Sequence, residues 1–72
     1  MVNSVLYEEQ DKIAIISINR PERLNTLTAE VIGAVGEYVD QAASAEEVAA
    51  IVLRGAGANV SAGYDLDDFL AN

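Results

Sequence analysis

The sequence predicts an α/β fold of the order ββαβ, and three observations carry that prediction. Two short apolar-rich runs, Val5 to Gln10 and Ile13 to Ile18, flank the polar pair Asp11-Lys12, which suits a tight hairpin turn. A later segment repeats Val31, Ile32, Val35, Tyr38, Val39 and Ala42 at helical spacing. Residues 48–53, VAAIVL, are apolar almost throughout, as a buried strand is. A strand, a helix and a strand in succession make a crossover, so the last strand is expected parallel to the second.

Each element has a local reason. In the second run Ile13 and Ile15 point to one face and Ala14, Ile16 and Ile18 to the other, so it reads as a central strand covered on both sides. Arg20-Pro21 ends it, because proline lacks a ladder donor and restricts the residue before it. Thr28 is a candidate N-cap, with Glu30 in the first turn where the helix dipole favours a carboxylate. Glu30, Glu37, Asp40 and Gln41 form the polar side of this helix of about four turns. Gly33 and Gly36 weaken it by about 1 kcal/mol each, unless they permit a close approach to the sheet. Ser44-Ala45-Glu46-Glu47 has the form of a capping box, but only a short turn separates it from the following strand. Residues 64–70 resemble the first turns of a second helix.

Composition narrows the function classes. A chain of 72 residues is one small domain at most, and at this size folding buries only about 60% of the unfolded surface. With no cysteine and no histidine, disulfides and thiol or imidazole metal sites are excluded as staples. The chain carries more apolar surface than a free-standing domain of its size would easily hide, and its Ile, Val, Leu and Ala content is not that of a disordered segment. A net charge of −8 lacks the basic footprint of a nucleic-acid or anionic-membrane binder. No apolar run approaches the ~20 residues of a membrane span, and the start has no leader pattern, so a cytoplasmic protein is the expectation. Asn59-Val60-Ser61 matches a glycosylation sequon, read here as chance.

The stretch "RGAGANVSAGYDLDDF", residues 54–69, is rich in small residues that let another molecule approach the backbone. It is not a Walker A loop, since no lysine follows Lys12, nor a dinucleotide fingerprint, since Val60 stands where the third glycine belongs. The Ser61-Ala62-Gly63 corner leads toward a helix start, whose first N–H groups lack internal partners. Two readings stand: a plain turn, or backbone donors for a developing oxyanion. Arg20 and Arg23, in the loop NRPERLN, either meet a phosphorylated ligand or pair with nearby carboxylates. Asp65, Asp67 and Asp68 are better explained by a helix dipole than by a metal.

Together, "ISINRPERLNTLT", "IVLRGAG" and "VSAGYDL", in this order and separation, resemble the N-terminal part of the enoyl-CoA hydratase/isomerase (crotonase) family, over about residues 5–69. Each motif is weak alone and strong in register with the others. The resemblance implies that residues 1–72 are the N-terminal ββαβ portion of a crotonase-like α/β spiral fold, incomplete by itself. It implies an acyl-CoA substrate, no cofactor other than the CoA that the substrate carries, and a complete protein assembled as a homotrimer or homohexamer. It also implies that the Ala62 backbone N–H supplies one half of an oxyanion hole, that Gly63, Tyr64 and Asp65 line the same site, and that Arg23 and Leu24 contact CoA. Val60 departs from an aromatic often found at its position, and Tyr64 from a small residue, which leaves the exact reaction open.

In that family the second oxyanion donor and the acid/base residues lie beyond the matched region. The 72 residues are therefore expected to be a truncation, a fragment or one piece of a split chain, inactive alone, from an enzyme that hydrates a 2-enoyl-CoA. Two other readings are a non-catalytic βαβ piece that binds acyl-CoA or pairs with a partner chain, and a nonfunctional remnant.

Overall fold

The computed structural model describes residues 4–57, 60, 61 and 63. Within them the order is β1 (Val5–Gln10), β2 (Ile13–Ile18), a 3₁₀ turn (Pro21–Arg23), α1 (Ala29–Ser44) and β3 (Ala50–Gly55). The sheet runs β1-β2-β3, with β2 in the centre. β1 and β2 are antiparallel, from Val5 opposite Ile18 to Gln10 opposite Ile13. β2 and β3 are parallel, from Ile13 beside Ala50 to Ile18 beside Gly55. The hairpin and the parallel crossover are thus as the sequence predicts.

The hairpin turn is two residues long because Asp11 and Lys12 both take positive φ, 52° and 69°. That backbone twist matches the twist of the flanking strands. α1 begins where expected: Thr28 Oγ1 accepts the Val31 N–H at 3.1 Å, satisfying one of the donors that a helix start leaves open. At the other end Ser44 is still helical and its hydroxyl donates to the Asp40 carbonyl, so no capping box starts there. The chain turns instead, with the Val48 N–H on the Ala45 carbonyl at 3.1 Å. This turn occupies Val48, and β3 consequently begins at Ala50 and extends to Gly55, two residues later at each end than the apolar run suggests.

The core lies between α1 and one face of the β1–β2 hairpin. Val5, Ile16, Ile18 and Val31 form its buried centre, with Tyr7, Leu27, Ala34, Val35 and Tyr38 packed around them. The Tyr7 and Tyr38 rings stack at 4.9 Å and 13°, closing one side. Ile32 and Val39, read from the sequence as part of the buried stripe, are exposed. Gly33 and Gly36 do not bring the helix close to the sheet: a Cβ on either would meet none of the described residues within 4 Å.

Two further expectations are corrected. β2 is covered by α1 on its Ala14, Ile16 and Ile18 face, while on the other face Ile13 is exposed and Ile15 only half-buried. β3, expected to be buried, exposes Ile51, Val52 and Leu53 at 42%, 42% and 50%. Its side chains alternate between the two faces, so both faces are open. The apolar composition of β3 suits a core strand, but among the described residues α1 packs over β1 and β2 and none encloses β3. No helix among the described residues is long and apolar enough to cross a membrane.

Candidate functional site

β2 and β3 are parallel neighbours, so the loops that leave their carboxyl ends emerge side by side. One is the segment 19–28 with the 3₁₀ turn, and the other begins at Ala56. Ligands of α/β proteins bind beyond the carboxyl ends of parallel strands, because the loops there converge without a sheet in the way.

The first loop is held by its own backbone. The Arg23 N–H and Asn25 N–H both donate to the Arg20 carbonyl, at 2.9 and 2.7 Å, and the Leu24 N–H donates to the Pro21 carbonyl at 3.1 Å. Proline at the start of the turn suits this arrangement, since its missing N–H would have no partner there. Leu24 and Asn25 then take consecutive left-handed conformations, φ 56° and 53°. The double reversal presents Arg23 and Leu24 outward; Leu24 is 60% exposed, an unusual state for a leucine on a tight turn.

Asn25 is fully buried beneath that turn. Its Oδ1 accepts the Arg20 N–H at 2.8 Å, and its Nδ2 donates to the Ala56 carbonyl at 2.7 Å, across 31 positions of sequence. The two loops meet twice more. The Leu27 N–H donates to the Gly63 carbonyl at 2.7 Å. Gly57, at φ 86°, lies so near Pro21 that a Cβ on it would sit 3.2 Å from the proline Cβ. The glycine is needed for both reasons at once.

At the corner, Gly63 has φ 105°, a conformation that side chains rarely adopt, and its N–H donates to Ser61 Oγ at 3.0 Å. The Gly63 donor is therefore already engaged. Of the site residues named from the sequence, Arg23, Leu24 and Gly63 are brought to this one end of the sheet; Ala62, Tyr64 and Asp65 lie outside the described residues, as do Asp67, Asp68 and the helix expected over residues 64–70. Arg54 is not part of the cluster: its Nε donates to Ser17 Oγ at 2.9 Å and its Nη2 lies 3.6 Å from Glu8 Oε1, running across the sheet. Arg20 Nη2 reaches Thr26 Oγ1 at 3.4 Å within its own loop. No group of three acidic side chains among the described residues is placed to hold a metal ion.

Sequence reasoning missed Asn25. Its signal was present, since asparagine tolerates the left-handed region better than other residues with a side chain and its amide can both accept and donate.

The fold and this pair of loops define an α/β protein with two joined loops, a candidate site, at the carboxyl ends of parallel strands. A model of the family described as enoyl-CoA hydratase/isomerase matches residues 13–72. The short-chain-enoyl-CoA hydratase of Clostridium acetobutylicum is 32% identical over 68 residues, covering 93% of this chain and 26% of that protein. The 1,2-epoxyphenylacetyl-CoA isomerase of Escherichia coli is 31% identical, covering 94% and 26%. The crystal structure of a probable enoyl-CoA hydratase/isomerase from Mycobacterium abscessus superposes with a TM-score of 0.94 at 33% identity, over all of this chain and 29% of that one. The chain belongs to the enoyl-CoA hydratase/isomerase family, as its N-terminal portion, and spans about a quarter of the length of the curated relatives it matches.

Proposed function

We propose that these residues form the CoA-facing and first oxyanion-hole portion of an enzyme that hydrates a 2-enoyl-CoA. The observation that carries the reading is the joining of the two loops beyond β2 and β3, with the Leu27 N–H on the Gly63 carbonyl at 2.7 Å, in a chain of this family. Arg23 and Leu24 contact the CoA moiety from the first loop. The Ala62 backbone N–H donates to the thioester oxygen as the enolate forms, and Gly63, Tyr64 and Asp65 line the acyl site. A preplaced donor at a developing oxyanion contributes several kcal/mol, because it needs no reorganisation during the reaction. The family relatives named for a hydratase and for an isomerase act on CoA thioesters by their names, which supports the substrate class more strongly than the reaction.

On this reading the second oxyanion donor and the acid/base residues come from outside the 72 residues, no cofactor is required, and the complete enzyme assembles as a trimer or a dimer of trimers. The 72-residue chain binds acyl-CoA and does not turn it over. Calorimetric titration with crotonyl-CoA tests the first half of that statement and a hydration assay the second. Saturable binding without turnover is expected; absence of binding sinks the site, and turnover by the purified chain sinks the assignment of the acid/base groups. A second reading, a non-catalytic piece that pairs with a partner chain, is favoured by one observation, the open apolar faces of β3. It predicts no saturable acyl-CoA binding.

A further inference from the structure

We propose that Asn25 is a positioning residue: its side-chain amide latches the Arg23-Leu24 turn to the loop after β3 and so sets the distance between the two halves of the proposed site. The inference rests on the reading of that site given above.

Asn25 is the one fully buried polar side chain between the two loops among the described residues, and its amide bonds run in opposite directions. The acceptor bond, from the Arg20 N–H to Oδ1, is local and closes the turn on itself. The donor bond, from Nδ2 to the Ala56 carbonyl, is long-range and has nothing to do with forming the turn. Four backbone-backbone bonds within the segment 19–28 already shape it: those of the Arg23, Leu24, Asn25 and Thr26 N–H groups. The long-range bond instead fixes where the turn sits relative to Ala56, at the residue where β3 gives way to its loop. Seven positions further along that loop, Gly63 is bound to Leu27, two positions beyond Asn25. Next to Ala56 along the chain, Gly57 packs on Pro21 without room for a side chain. The loops therefore meet at three places, of which the Asn25 amide is the fully buried one, and Leu24, displayed by the same left-handed pair as Asn25, moves with it.

A burial this complete makes the amide hard to replace. The Asn25 amide is itself closed to water, so a side chain that cannot donate from there leaves the Ala56 carbonyl without this partner or pushes the loops apart. Asn25→Asp separates the two roles. A carboxylate keeps an oxygen for the Arg20 N–H and tolerates the left-handed backbone, but it cannot donate to Ala56 and places an oxygen against the carbonyl.

The test is site-resolved amide hydrogen exchange on the 72-residue chain and on Asn25→Asp, with crotonyl-CoA titration of both. The expected result is that the Leu27 amide loses at least about tenfold in protection, the factor a lost bond of about 1.4 kcal/mol gives, while the strand amides of Ile16 and Ile18 keep theirs. Crotonyl-CoA affinity then falls by a similar factor. Unchanged Leu27 protection in a folded Asn25→Asp overturns the latch. Lost protection with unchanged affinity leaves the latch standing and removes the proposed site, as does a wild-type chain that binds no crotonyl-CoA. If Asn25→Asp does not fold, Asn25→Gly, which keeps the positive φ without strain, is read in the same way. Failure of both to fold overturns the proposal, because Asn25 would then hold the fold rather than place a loop.

Discussion

Gly57 carries two constraints that separate in experiment. Its φ of 86° is costly for any residue with a Cβ, and that Cβ would press on Pro21 at 3.2 Å, where the rigid ring yields little. Gly63, at φ 105°, has the first constraint without the second among the described residues. Gly57→Ala is therefore expected to destabilise the chain by about 2 kcal/mol, from backbone strain plus a displaced loop, and Gly63→Ala by about 1 kcal/mol. Urea titrations give the order; a Gly63→Ala variant less stable than Gly57→Ala would show that the Pro21 contact is not felt. Tyr7 offers a residue-scale test of a different kind. Its hydroxyl donates to Glu9 Oε2 at 2.7 Å, and this bond, with some desolvation and the negative charge of Glu9, raises its pKa from 10.0 to about 12. Because the folded state holds the proton more tightly, the associated stabilisation is complete below pH 10 and is lost as pH rises through about 12. Absorbance titration should place the Tyr7 ionisation, identified by its loss in Tyr7→Phe, at about 12, and Glu9→Gln should bring it back toward 10.

At the scale of elements, what was legible in the sequence depended on whether the signal was local. β1, β2 and the Thr28 cap follow from alternation, a two-residue turn and one hydroxyl, all short-range, and they occur where predicted. The start of β3 was shifted because the Ala45–Val48 turn takes residues whose apolarity looks like strand. The site was half legible: the glycines and the 3₁₀ loop stand out as composition, but Asn25 joins them through a bond spanning 31 positions, which no local pattern encodes. The helix glycines illustrate the same limit, since only the structure shows that their side of α1 meets none of the described residues. With no packing role among the described residues, Gly33 and Gly36 retain there only their entropic cost in a helix. Gly33→Ala and Gly36→Ala should each stabilise the chain by up to about 1 kcal/mol. Combined, they should raise Tm by roughly 4–15 °C for a domain of this size. An unchanged or lowered Tm would mean that this helix face is occupied in solution.

The whole molecule is lopsided in where its apolar side chains are used. Ile16 is fully buried between the sheet and α1, whereas Ile51, Val52 and Leu53, residues of the same character on the neighbouring strand, are about half exposed. Truncating a side chain costs the transfer energy of the atoms removed plus any cavity left behind, and both depend on enclosure. Ile16→Ala is accordingly expected to cost about 2–4 kcal/mol, enough to unfold much of a chain this small. Leu53→Ala, with half its surface already in water and no cavity to leave, is expected to cost under about 1 kcal/mol. Denaturant midpoints at two protein concentrations make the comparison decisive. If Leu53→Ala costs as much as Ile16→Ala only at the higher concentration, β3 is covered by a second molecule; if it does so at both, β3 is covered within the chain. A small cost at both concentrations means that β3 is an open flank, held by its ladder to β2 and carrying apolar side chains whose burial requires surface other than the described residues supply.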